Sequence, residues 1–466
     1  MRISTAGTRL TDERGRERIF GGVNMVHKDP ASGYAQPFTR EHYRYLASAG
    51  LDLVRLGVIW DGLEPEPGVF SESYLSELAR QLDWADEFGI GVYLDMHQDL
   101  YSSQFGDGAP AWATLTDGAE YSAGEFWSDA YLFDPAVQNA YSNFWKNTEV
   151  DGVGLQDHLA KAWAELDRRF GHHPAVIGFD WLNEPFPAGS QMEVFGTLLG
   201  AYIQITADAR SIEELAADFS DPQGKQELLA NIDDPQLYAA MAAAAAEPAE
   251  AFDSGVLGPF QAKLTTAAPD KLSVCEASYF SNMGIESAIP KQERMVYSPH
   301  GYDLTVDTEA IQQASDNRLD VIWAAHLRTQ QRLDVPVIVG EWGAQYGYAG
   351  GLEHIAHQLD TFDKNHWSHT YWCFEPGFEN LPAASVLKRP HPQAVAGEID
   401  TYSWDSTTGE FSASWASNMN EESVFYLPSA PQKVDGNVKT STELVLDGCR
   451  LHVQAGEDHI EVKVQL

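Results

Sequence analysis

Val176-Ile177-Gly178-Phe179-Asp180-Trp181-Leu182-Asn183-Glu184-Pro185 is a short apolar run that ends abruptly in an amide, a carboxylate and a proline. The run is too short for a helix and rich in β-branched and aromatic residues, which marks a strand covered on both faces. A second run, Val335-Pro336-Val337-Ile338-Val339-Gly340, leads in the same way into Glu341-Trp342-Gly343, with Pro336 well placed to start a strand. A charged group at the end of a buried strand costs free energy unless it is paired or used. Two such ends point to parallel strands that deliver polar side chains to one rim of a sheet.

Working outward, the same unit recurs. Strands are predicted at Ile19–Val23, Leu53–Val58, Gly91–Met96, Val176–Leu182, Leu272–Cys275, Met295–Tyr297, Val337–Val339 and Thr370–Phe374. Helical stretches lie between them at Arg40–Ala49, Tyr74–Phe88, Leu155–Phe170, Ile311–Arg332 and Leu352–Lys364. In Tyr74–Phe88 the apolar positions 75, 78, 82, 85 and 88 make one helical face. This alternation predicts an α/β fold, a (β/α)8 TIM barrel. An open doubly wound sheet would carry a Gly-rich turn after its first strand; here the sequence is Asn24-Met25-Val26-His27-Lys28.

Two regions break the rhythm. Residues 190–258 are acidic and Ala-rich, with helical spacing in segments such as Ile212–Asp218 and Gln226–Ile232, and read as a helical insertion over the barrel rim. Leu100–Asn147 is long and aromatic, with Tyr101, Phe105, Trp112, Tyr121, Phe126, Trp127, Tyr131 and Phe133; long loops at one barrel face carry function. From Ile399 the pattern becomes short alternating runs separated by Gly, Asp, Asn and Pro, a C-terminal antiparallel β-sandwich domain. The expected division is a catalytic barrel over 1–398 and a sandwich over 399–466. No low-complexity linker separates them, so the two should pack together.

The 466 residues, 44% hydrophobic and 11% aromatic, supply a large core. No apolar run reaches the ~18 residues a membrane span needs. With 30 basic and 69 acidic residues the net charge is −39, which disfavours nucleic acid and anionic membranes as partners. Three widely spaced cysteines, Cys275, Cys373 and Cys449, are neither a disulfide framework nor a zinc site. His172-His173 falls in a turn at the opposite end of the barrel, and no His-Glu-x-x-His run is present; neither a metal nor a cofactor is expected. The segment Met1–Gly7 has no apolar core and is not a signal peptide as it stands.

Polar residues at the C-terminal ends of barrel strands converge on one site. Those ends give Asn24 with Lys28, Arg55, Asp95-Met96-His97-Gln98-Asp99, Asn183-Glu184, Glu276, His300-Gly301-Tyr302, Glu341, and Tyr371-Trp372. Glu184 and Glu341 form the pair a retaining glycosidase uses, one carboxyl protonated to donate to the leaving oxygen and the other ionised to attack.

With these motifs in place, the chain resembles family 5 of the glycoside hydrolases over about Phe20 to Phe374. Within that family it is most similar to endoglycoceramidases and related glycosylceramidases. The matching stretches are Gly21-Gly22-Val23-Asn24 with Lys28, Leu94-Asp95-Met96-His97-Gln98-Asp99, Asn183-Glu184-Pro185, His300-Gly301-Tyr302 and Trp372, together with Arg389–Gly397 ahead of the sandwich. The resemblance implies hydrolysis of the β-glycosidic bond between a glycan or hexose and ceramide, with Glu184 as acid/base and Glu341 as nucleophile. It also implies that Asn183 binds the sugar 2-hydroxyl, Tyr302 touches the nucleophile, and Trp372 floors the sugar ring. Lys28, Asp95 and His97 would bind hydroxyls, with Arg55 and His300 in support. The implied partner is a glycolipid or oligosaccharide, with peripheral contact to a micelle or membrane surface, and the implied location is extracellular. An endo-β-glucanase acting on polysaccharide is the alternative; a non-catalytic carbohydrate-binding barrel is the remote one. The chain departs from the family in its long fourth connection and at Gly301, which is expected to leave space beside Tyr302.

Overall fold

A computed structural model of the chain describes all residues except 125–126, 307, 309, 346, 348–349 and 457, and the side chain of Pro222. Phe126 of the aromatic loop therefore lies outside the described residues. The barrel strands are β1 Gly21–Met25, β2 Leu53–Ile59, β3 Gly91–His97, β4 Val176–Asp180, β5 Leu272–Cys275, β6 Met295–Tyr297, β7 Ile338–Val339 and β8 Ser368–Tyr371. They pair in parallel in the order β6-β5-β4-β3-β2-β1-β8-β7. The ring closes where Tyr297 bridges Val337 and where His300–Gly301 pairs with Glu341–Trp342. These are the eight expected strands with shifted ends. Trp181 and Leu182, for example, leave the ladder before Asn183 bonds back to the Met96 carbonyl at 3.0 Å.

The lowest interior layer is apolar, built from Phe20, Leu53, Tyr93, Ile177, Val296 and Ile338, and Ile3 and Leu10 pack against it from below. Those two residues belong to a three-stranded antiparallel sheet (Ile3–Ala6, Arg9–Asp12, Glu17–Arg18) that the sequence reading did not anticipate. Its strands are too short and polar to stand out as a periodic pattern.

The outer helices form where periodicity predicts them, at Arg40–Ser48, Glu72–Glu87, Leu155–Phe170, Asp316–Leu333 and Gly351–Asn365. One is shorter than expected. Ile311–Gln313 is a separate 3-10 turn, and the helix begins at Asp316 because Ser315 caps it by accepting from Asn317 N at 3.2 Å.

The insertion is helical, as expected, with helices Gln191–Thr206, Ile212–Phe219, Pro222–Asn231, Pro235–Ala244 and Ala246–Phe252. Their starts are encoded locally. Ser211 and Glu214 form a capping box, and Asp221 and Asp234 each cap a helix whose first position is proline.

The C-terminal domain packs two four-stranded antiparallel sheets around Phe411, Trp415, Phe425, Leu451, Ile460 and Val462. Its first strand is His391–Ala394, so the sandwich starts earlier than the expected Ile399. Pro392 is tolerated in it because the strand lies at a sheet edge. The domain docks closely on the barrel: Tyr426 donates to the Ser48 carbonyl at 2.8 Å, and Glu17 and Val395 exchange two backbone bonds of 2.8 Å. Among the described residues no helix is long and apolar enough to cross a membrane.

Candidate active site

The period of two along β2 puts Leu53 and Arg55 on the same interior face, with Arg55 one layer above the apolar floor. Arg55 is fully buried and uses its whole guanidinium. Nε bonds Asp180 at 2.9 Å, Nη1 bonds Glu341 at 2.6 Å and Asn24 at 3.2 Å, and Nη2 bonds Glu276 at 2.8 Å and Asn183 at 3.0 Å. Asp95 makes a further ion pair with Nη2 at 2.9 Å. Burial alone would lower the pKa of this group, but Asp95, Asp180, Glu341 and Glu276 hold it well above its ordinary value. One cation thus ties together the ends of five strands.

Glu184 and Glu341 meet above it. Oxygens of the two carboxyls and a ring nitrogen of His300 all lie within 4.8 Å of one another. His300 Nδ1 is 3.0 Å from Glu184 Oε1 and 3.7 Å from Glu341 Oε2. Burial opposes a charged His300, yet Glu276, Glu341 and Glu184 outweigh it and push its pKa well up. The surroundings of the two glutamates differ. Glu341 Oε1 accepts from Arg55 and Oε2 accepts from Tyr302 at 2.8 Å. Glu184 has no arginine or lysine bonded to its carboxyl among the described residues; Oε1 accepts from Asn282 at 2.7 Å. Burial pushes its pKa up to about 7, with Glu341 and Glu276 adding to the rise and His300 opposing it. Glu184 also has a left-handed backbone, φ 44°, held where its N–H donates to Glu276 Oε2 at 2.7 Å.

To one side, Lys28 bonds Asp99, with Asp107 3.6 Å away, and its ammonium stands 5.0 Å from the Trp372 ring centre. Trp372 stacks on His97 at 5.4 Å and 15°. Burial would lower the Lys28 pKa, but Asp99 and Asp107 carry it upward. Burial lifts Asp107 to about 8 and drives His97 well below the usual imidazole range. His97 Nδ1 contacts Asp95 at 2.7 Å, and Nε2 has no hydrogen-bond partner among the described residues.

A cleft of about 600 Å³ lies over these residues. Lys28, His97, Asn183, Glu184, Tyr302, Glu341 and Trp372 all line it. The structure keeps three of the sequence-derived candidates beneath the surface. Arg55, Asp95 and His300 do not line the cleft; for Asp95 this corrects the expected contact with a sugar hydroxyl. Asp95 is fully buried between Arg55 and His97 because its place on β3 turns it inward, one layer below His97. The space expected beside Gly301 is filled, since a Cβ there would stand 2.4 Å from Trp323 Cη2. Away from Lys28, the cleft walls are largely apolar: Leu132, Trp127, Phe219, Phe280, Met283 and Leu304.

Sequence reasoning assigned no role to Glu276, Asp180, Asn282, Asp99 or Asp107. Asp180 carried a usable signal, a carboxylate inside an apolar strand that demanded a buried cation. Asn282 carried none, because its side chain reaches Glu184 only through the fold. The grouped acids His97/Asp99/Asp107 and Asp95/Asp180/Glu276 have metal-like spacing, but each has a protein cation bonded within it, Lys28 and Arg55 respectively.

The model of Cellulase (glycosyl hydrolase family 5) matches residues 12–221 and 260–377, and that of the Glycoside hydrolase family 5 C-terminal domain matches 389–464. The chain belongs to glycosyl hydrolase family 5. The family 5 match passes over 222–259, the later part of the insertion. Among similar proteins, Endoglycoceramidase I of Rhodococcus hoagii is 26% identical over 430 residues, 88% of this chain and 76% of that protein. A Glucosylceramidase of Cryptococcus neoformans var. grubii is 28% identical over 247 residues, 40% of this chain and 33% of that one. Endo-glycoceramidase II from Rhodococcus sp., solved as a ganglioside GM3 complex, superposes with a TM-score of 0.76 at 25% identity, covering 99% of each chain. As a family 5 member this chain is a glycosidase.

Proposed function

We propose that this family 5 glycosidase cleaves the β-glycosidic bond between a glycan or hexose and ceramide in glycosphingolipids, by double displacement with retention. The observation that carries the reading is the carboxyl pair within 4.8 Å at the base of the cleft, in unequal surroundings. Retaining enzymes hold their carboxyls ~5–5.5 Å apart, whereas inverting ones leave room for a water. Glu341 accepts from a guanidinium and a phenol through both oxygens, the arrangement of a carboxylate nucleophile. Glu184, buried and with a pKa near 7, keeps the proton a leaving oxygen needs.

Attack by Glu341 on the anomeric carbon breaks the bond to the aglycone oxygen as Glu184 protonates it. Glu184 then takes a proton from water, and the hydroxide so formed displaces Glu341. Asn183, next to Glu184 in the chain and bonded to the Arg55 that holds Glu341, lines the cleft and serves the 2-hydroxyl. Trp372 floors the ring, and Lys28 and His97 bind hydroxyls on the glycone side. Tyr302 and Arg55 orient Glu341, and His300 sits between the two carboxyls. The apolar wall from Leu132 to Leu304 suits lipid chains better than a second sugar. Trp127, which lines the cleft, and Phe133, at the end of the nearby helix Asp129–Phe133, are 43% and 40% exposed and suit contact with a micelle or neutral membrane surface. The family resemblance favours an extracellular location.

The test is incubation with glucosylceramide, galactosylceramide, a ganglioside and carboxymethyl cellulose, followed by thin-layer chromatography. Release of ceramide is the expected result, and which glycolipid reacts shows whether one hexose or an oligosaccharide leaves. Cleavage of the cellulose alone would mean a polysaccharide enzyme.

A further inference from the structure

Each glutamate is held by a side chain that is itself next to an anchor point of the insertion. Tyr302, the donor to Glu341, is followed by Asp303. Asp303 is buried and receives a two-point bond from Arg318, Nε to Oδ2 at 2.8 Å and Nη2 to Oδ1 at 3.0 Å. The remaining Nη1 of Arg318 reaches into the insertion, to the Leu229 carbonyl at 3.1 Å and to Asp233 at 3.4 Å. On the other side, Asn282, the donor to Glu184, is followed by Met283, whose carbonyl accepts from Tyr238 of the insertion at 2.8 Å. Leu229, Asp233 and Tyr238 all fall within the 222–259 stretch that the family model passes over.

We infer that the insertion is a brace for the catalytic pair: it fixes the Tyr302 loop through Arg318 and the Asn282 loop through Tyr238, making both positioning residues. The physical basis is the fork of Arg318. All the guanidinium's bonding directions are satisfied at once, by Asp303, Gln313 and the insertion, so moving the insertion moves the segment that carries Tyr302. Tyr238 fixes the Met283 carbonyl with one bond. That bond sets where Asn282 presents its amide to a carboxyl otherwise faced by His300, Glu341 and Glu276. The roles of the two glutamates rest on the proposed function; the bracing geometry does not.

The experiment has one arm for each anchor. Arg318→Lys keeps the charge but loses the fork. It should lower kcat by roughly 10- to 100-fold with KM little changed, the signature of misplacement rather than lost binding. Combined with Tyr302→Phe it should lower kcat no further, because both changes act on the same contact. Losses that multiply, or an Arg318→Lys enzyme with unchanged kcat, would overturn the Arg318 arm. The second arm is read without substrate, by carbon NMR of carboxyl-labelled glutamate assigned with Glu184→Gln. Tyr238→Phe should move the Glu184 titration upward by about half a unit or more, since a displaced Asn282 supports the ionised form less well. A fall in melting temperature with an unmoved titration would make Tyr238 purely structural. Because this arm does not depend on turnover, its failure is distinct from a failure of the proposed function.

Discussion

Glu276 accepts the backbone N–H of Glu184 at 2.7 Å through one oxygen and a guanidinium N–H of Arg55 at 2.8 Å through the other. A third carboxylate, contributed by β5, therefore holds Glu184 in its left-handed backbone and ties it to the cation under Glu341. Glu276→Ala removes the acceptor. A lost hydrogen bond to a charged group is worth about 1.5–3 kcal/mol. If the loss falls on the position of Glu184, kcat should drop by roughly 10- to 100-fold. Steady-state kinetics check this, and an unchanged kcat would show that the bond does not position the acid.

The rate should also follow the Glu184 proton. Its pKa, raised to about 7 by burial, means that kcat/KM is lost as pH rises through about 7, when the acid can no longer donate. A pH profile with a flat alkaline side up to pH 9 would be incompatible with Glu184 as the donor. Glu184→Gln should lower kcat by about 10²–10⁴-fold, and Glu341→Gln should abolish turnover.

Burying Glu184 has a cost in stability whose sign follows from the same shift. The folded protein keeps this proton up to about pH 7, whereas the unfolded chain loses it near 4.5. The native state therefore binds more protons across that window, and stability falls as pH rises through it. Glu184→Gln, which mimics the neutral form, should raise the melting temperature little at pH 4 and most above pH 7. The gain is at most on the order of 3 kcal/mol. Melting curves at the two pH values decide it; an equal gain at both would point to packing instead.

Arg55 has the opposite balance. Replacing it with Met leaves Asp95, Asp180, Glu276 and Glu341 buried with no guanidinium between them. Breaking a buried ion pair from one side costs about 3–5 kcal/mol, so Arg55→Met should melt many degrees lower and lose activity. A melting temperature within two degrees of the parent would contradict the central place assigned to this residue.

Gly301 is fixed by Trp323. A methyl group at Gly301 would stand 2.4 Å from Trp323 Cη2, an overpacking of about 1–3 kcal/mol. Gly301→Ala should therefore be destabilised and slower, since Tyr302 is its neighbour. Trp323→Leu in the same background should recover part of the stability, measured by chemical denaturation.

Much of this was legible along the chain. The apolar runs into Glu184 and Glu341 marked strands whose ends meet, because barrel strands are parallel and release their polar ends at one rim. The insertion helices were legible in the helical spacing of segments such as Ile212–Asp218 and Gln226–Ile232, whereas their caps, Ser211 with Glu214, Asp221 and Asp234, were found in the structure. The strand His391–Ala394 fell outside the expected sandwich because the alternating pattern read from Ile399 does not extend back to it. The N-terminal strands were missed because segments of two to four residues carry no period.

By itself, then, the sequence determined the strand–helix alternation, the pair of glutamates and their places on β4 and β7, since those depend on hydrophobic spacing and local chemistry. Only the tertiary structure decided that Asp95 points beneath the cleft and that Trp323 fills the space at Gly301. It alone decided that Glu276 and Asn282 hold Glu184, and that the insertion reaches Asp303 and Met283. Those relationships join residues tens to hundreds of positions apart. A buried charge specifies that it needs a partner, but which distant group supplies it is set by the register of the closed barrel and the packing of the helices around it.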